Sequence, residues 1–159
     1  LMYRGDHNQQ IFYSPWRRSQ RPLRGILHAT FTFTMGALLF QHLASWGAEH
    51  TGSVRWKQAG LSRRDLQRAR FRCLEEVESV RYSLLDLQYA DEQLGWLTSA
   101  GQQLVRELAA AIAHIEGSSK HFRRDVERSS FGPALRRHIR ELQGARHSYG
   151  PIRVSESGA

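Results

Sequence analysis

The sequence predicts an all-α chain: a single transmembrane helix, then a long amphipathic, coiled-coil-like helix or helical hairpin, then short basic C-terminal helices. Three observations carry this expectation. Gly25 to Ala48 runs for 24 positions without a Lys, Arg, Asp or Glu, in a chain of which 24% is charged. Apolar residues then recur at 3.5-residue spacing between Leu66 and Ile115. Only 4 prolines interrupt the 159 residues.

Composition bounds the rest. The formal net charge of +8, from 23 Lys or Arg against 15 Asp or Glu, suits RNA, anionic lipid or an acidic protein partner. The single cysteine, Cys73, leaves no internal disulfide and no multi-cysteine metal site. A chain opening on Leu1 suits either a removed presequence or a sequence that lacks its first residues.

Residues 1–24 read as a basic N-terminal extension. Arg17, Arg18, Arg21 and Arg24 crowd its end with no acid among them. By the positive-inside tendency, that places the N-terminus on the matrix or cytoplasmic side. Tyr13 and Trp16 before the uncharged run, and Trp46 and Trp56 at and beyond its end, have the spacing of rings at two membrane interfaces.

Residues 25–48 form the expected span, since roughly 20 apolar helical residues cross a bilayer. Thr30 to Met35 alternates as a strand would, but helical spacing gives a more coherent pattern. Thr30, Thr34, Ala37, Gln41, Ala44 and Ala48 recur every three or four residues as one seam of small or weakly polar side chains. Such a seam lets helix backbones approach closely, and Thr or Gln can hydrogen-bond across it. The expected partner is a core helix of a surrounding complex. His28 and His42 lie fourteen residues apart, on nearly one face and about 21 Å apart along the axis. Two stacked haems would suit them only if another chain supplied the second ligands. Histidines hydrogen-bonded near the interfaces are the plainer reading, and no cofactor is expected.

Residues 49–61 are polar and read as an interfacial linker. Ser62 followed by Asp65 has the form of a helix-starting capping pair. Leu66, Cys73, Val77, Val80, Leu84 and Leu87 then make one apolar seam. Ala90, Leu94, Leu97, Gly101, Leu104, Leu108, Ala111 and Ile115 make a second, displaced by one residue. The slip means either a winding defect in one helix or a reversal near Asp91 to Gly95. No proline or turn dipeptide marks a reversal, which favours a continuous helix of about 80 Å. Gly117-Ser118-Ser119 should end it.

Residues 117–159 should hold short basic helices, Lys120 to Ser129 and Pro133 to Leu142, with Gly144 as a C-cap. The polar end, Val154 to Ala159, is expected to be held by neighbouring subunits.

No phosphate-binding Gly-rich loop, paired-cysteine spacing or His-Glu-x-x-His motif occurs. The acids of the long helix are spread around it, and Cys73 lies on an apolar seam where a thiol acts as a small hydrophobe. No catalytic or metal-binding residues are expected. The expected function is a non-catalytic, single-pass accessory subunit that scaffolds a large mitochondrial inner-membrane complex, of the respiratory chain or an ATP synthase. Its partners would be other subunits and phospholipid. The alternative is a soluble RNA-bound structural protein, such as an organellar ribosomal subunit. The mixing of acids and bases along the long helix weighs against nucleic acid.

Overall fold

The computed structural model describes residues 1–5 and 8–149, and the polar end from Val154 to Ala159 lies outside the described residues. Most of the chain is helical, as the all-α expectation requires. Among the described residues, six helices follow a short antiparallel hairpin: β1 (Phe12–Ser14) and β2 (Ser19–Arg21), then α1 (Leu23–His50), α2 (Val54–Gln58), α3 (Arg63–Glu92), α4 (Ser99–Ser118), α5 (Lys120–Glu127) and α6 (Gly132–Ser148).

α3 is the axis of the molecule. Arg72 lies over the Phe40 ring, and a Cβ built on Gly47 would meet Leu66, so α3 runs antiparallel to α1. Gln102 donates to Asp91 and Arg81 pairs with Glu116, so α4 is also antiparallel to α3. Ser79 bonds His138 and Asp86 pairs with Arg146, so α6 runs alongside α3 in the same direction. Both apolar seams of the sequence meet here: Cys73, Val77, Val80 and Leu87 face Leu108 and Ile115 in one core cluster, with Phe12, Ile26 and Ala37.

The chain therefore folds 62–116 as a hairpin, and the expected continuous helix gives way to a reversal at residues 93–98. Gly95 makes it possible by adopting φ 63°, a conformation that costs glycine little. Its N–H donates to Asp91 O at 3.0 Å, and Trp96 N–H to Ala90 O at 2.9 Å. Thr98 then caps α4, its side chain accepting from Gly101 N–H at 3.2 Å. The extreme N-terminus fastens this corner. Tyr3 bridges Leu97, Thr98 N–H donates to Met2 O, and the Met2 carbonyl passes so near Gly101 that a Cβ there would lie 1.9 Å from it.

Other boundaries follow local chemistry. Ser62 and Asp65 form a reciprocal capping box at the start of α3. α4 ends at Ser118, and Pro133 sits in the first turn of α6. Gly144 does not cap α6, which continues to Ser148, because Leu142, Ala145 and Arg146 are buried on its inner side. The N-terminal extension holds the β1–β2 hairpin, with Phe12 fully buried, and the linker holds α2, capped by Ser53.

The α1–α3 contact tolerates little added volume. Thr34→Leu with Ala37→Leu places branched side chains at two positions that are 0% exposed. Overpacking of this kind costs about 1–3 kcal/mol per site. Chemical denaturation of the purified chain should show that loss, and an unchanged midpoint would mean that α1 and α3 do not pack this way.

Candidate docking surface

α1 presents two different faces. On the inner one, Thr30, Thr34, Ala37 and Ala44 are buried, Gln41 is half-buried and Ala48 is exposed. Thr30 Oγ1 donates to Ile26 O at 2.8 Å and Thr34 Oγ1 to Thr30 O at 2.7 Å. Both hydroxyls are thus satisfied within α1. Gln41 Nε2 donates to Ser118 Oγ on α4. Within the chain, the helix packed on this seam is α3.

The outer face is open and carries an apolar row, interspersed with the exposed polar residues Arg24, His28, Thr32 and His42. Phe31 (46% exposed), Met35 (42%), Leu39 (56%) and Leu43 (44%) follow one another at four-residue intervals, a row about 18 Å long. Met2 flanks the row beside Phe31, and Leu61 flanks it beside Leu43. Contiguous exposed apolar surface of this kind marks an interaction site more often than isolated apolar residues do. α1 is also the one described helix long and apolar enough to cross a membrane, a test that the core helix of a bundle passes as well.

The aromatic residues expected at membrane interfaces mostly turn inward. Tyr13 is buried between the rings of Tyr82 and Tyr149. Trp16 stacks on Phe33 at 4.3 Å and donates through Nε1 to Glu76 at 2.8 Å. Trp56 is buried beneath Gly47 and stacks with Trp46. Arg17 and Arg18 are exposed, and Arg18 pairs with Glu141 at 3.3 Å. His28 and His42 are both exposed. No group of three or more His, Cys, Asp or Glu able to hold a metal occurs among the described residues. Burial pushes the Cys73 thiol up to about 11, the opposite of what a reactive thiolate requires.

Two polar contacts escaped the sequence reading because their partners come from distant segments. Glu76 is 1% exposed, yet it accepts from Trp16 and from Arg72. Burial raises its pKa, and those two donors oppose the shift. Asp86 is fully buried on α3 and meets Arg146 of α6, whose Nη2 also donates to Tyr82 O at 2.6 Å. The Arg146 guanidinium lies 3.7 Å from the centre of the Tyr82 ring. Burial pushes Asp86 up to about 6 against the pull of Arg146. These contacts tie α6 and the hairpin loop to α3 and supply no nucleophile open to a substrate.

Removing one member of a buried pair strands the other charge, at a cost of about 3–5 kcal/mol. Asp86→Leu should destabilise the chain by that order in urea, and Asp86→Leu with Arg146→Met should recover most of it. The Asp86 carboxyl also has a signed pH signature. Its folded pKa lies above that of an unfolded Asp, about 3.9. Its contribution to stability is therefore present below pH 4 and lost as the pH rises towards 6. The stability difference between wild type and Asp86→Asn should shift against wild type across that window. A difference constant with pH would refute the assignment.

Compared with known proteins, the chain matches no family model, no curated sequence and no solved structure.

Proposed function

We propose that the chain is a non-catalytic accessory subunit that scaffolds a large membrane-bound complex, of the kind found in the mitochondrial inner membrane. The outer face of α1 is its docking surface. The observation that carries this reading is the row Phe31, Met35, Leu39 and Leu43, left open on an otherwise folded bundle. The basic, arginine-rich composition supports it by analogy alone.

The mode of attachment follows from what lies beside α1. Arg72 of α3 reaches the Phe40 ring and pairs with Glu75 and Glu76 at mid-length of α1. Each charge taken to the centre of a bilayer costs about 2.5–3.5 kcal/mol even on the mildest scale. A bundle that stays folded and lays only its outer face against an apolar partner avoids that cost. A single-pass span, with the N-terminus on the matrix side, is the second reading; the length and composition of α1 support it. It requires α1 to leave α3 and expose the small-residue seam to lipid or to another helix. The packing of α1 as a core helix also suits the alternative of an RNA-bound structural protein, as does the +8 charge.

Fractionation of native membranes tests all three. The docked bundle should co-isolate with membranes at neutral pH and be released by alkaline carbonate. Met35→Lys with Leu39→Lys should reduce co-isolation at least about tenfold while the fold is retained, because two buried apolar contacts become unpaired charges. Resistance to carbonate would return α1 to a span, and release by nuclease would favour the RNA-bound reading.

A further inference from the structure

The loop between β1 and β2 builds a basic cleft against the first turns of α1. Residues Pro15 to Arg18 connect Ser14 to Ser19, and Arg18 N–H donates to Ser14 O at 2.8 Å. Arg18 closes the turn with φ 53°, the one described non-glycine residue in the left-handed region, and reaches away to Glu141. Arg17 remains at a cavity of about 430 Å³ that Arg21, His28, Ser14 and Thr32 also line. The stacked rings of Trp16 and Phe33 complete its wall. No carboxylate lines the cavity, and neither Arg17 nor Arg21 forms an ion pair among the described residues.

We infer that this cleft binds the phosphate of an anionic phospholipid, a step that rests on the proposed attachment of the outer face of α1 at a membrane-bound complex. Two guanidinium groups line this one cavity with hydroxyl and imidazole groups, and each can donate hydrogen bonds to phosphate oxygens. What selects a lipid over free phosphate is the neighbouring surface. His28 lines both the cleft and an adjoining slot formed with Leu27, Phe31 and Leu104. From there the exposed row of Phe31, Met35 and Leu39 continues along the same helix. A headgroup in the cleft thus has its acyl chains beside apolar side chains, the arrangement of a helix face lying in the membrane interface. Gly25 also lines the cleft, and a Cβ there would sit 3.4 Å from Arg21 Nε.

Flotation of the full chain with protein-free vesicles tests the cleft separately from docking on a complex, which native-membrane fractionation reads. Binding is expected to vesicles of phosphatidylcholine with phosphatidylglycerol and not to phosphatidylcholine alone. Arg17→Ala with Arg21→Ala should weaken it about 30-fold, from roughly 1 kcal/mol per arginine at an anionic surface. Gly25→Leu fills the cleft without changing charge or opposing the helix, and should weaken binding about tenfold by displacing Arg21 from the phosphate. It carries the test if the double variant fails to fold. The charge-matched Arg136→Ala with Arg137→Ala, both exposed on α6, should change binding less than about threefold if the cleft is specific. Equal weakening by the α6 pair, or wild-type binding by Gly25→Leu, would overturn the proposal. So would binding of soluble glycerol 3-phosphate as tight as that of the vesicles.

Discussion

The close packing of α1 on α3 is the constraint from which the rest of the structure follows. Small or internally satisfied side chains at Thr30, Thr34, Ala37 and Ala44 allow the two backbones to approach along much of their length. That contact uses up the side of α1 that was free to bind another subunit. It also fixes the rotation of the helix, which leaves Phe31, Met35, Leu39 and Leu43 facing outward. A docking surface and a packing seam are thus two consequences of one helix orientation.

Because α3 contacts α1, α4, α5 and α6, it must meet different chemistry on each side. Toward α1 and α4 it presents the two interlocking apolar seams, alongside the Arg81–Glu116 pair and the Gln102–Asp91 bond to α4. Toward the hairpin loop and α6 it carries Glu76 and Asp86, each buried and each met by a donor about sixty residues away in sequence. Buried polar contacts of this kind add little net stability, since desolvation offsets the attraction. Their effect is positional: Trp16 and Arg146 can occupy one place only. The loop that presents Arg17 to the cleft is held to α3 through Trp16 and Glu76 in this way.

The sequence reading succeeded where local chemistry decides and failed where distant segments do. Ser62 and Asp65 started α3, and the end of α4 at Ser118 was visible from Gly117-Ser118-Ser119, because caps depend on a few adjacent residues. The reversal at 93–98 ranked behind a continuous helix as the alternative, because its local signal is sparse. A single Gly95 in left-handed geometry, followed by the Thr98 cap, replaces the proline or turn dipeptide that was sought. The one-residue slip between the two seams was its other trace. Gly144 misled in the opposite sense, since burial of Ala145 and Arg146 carries α6 past it. Tyr13 and Trp56 resembled interface rings, yet both are covered by contacts that no local pattern encodes.

By itself the sequence determined that the chain is helical, where most helices begin, and that α1 has one face of small residues and another of bulky apolar ones. Those properties follow from the 3.6-residue period and from capping, which act over a few neighbouring positions. Only the tertiary structure decided which element fills the small-residue face and which face stays open. It also decided that Arg17, Arg21 and His28 converge on one cleft while Asp86 finds Arg146. Periodicity fixes the faces of a helix, but not the partner that each face meets. That choice depends on how all the helices share one core, and so on contacts between residues far apart in the chain.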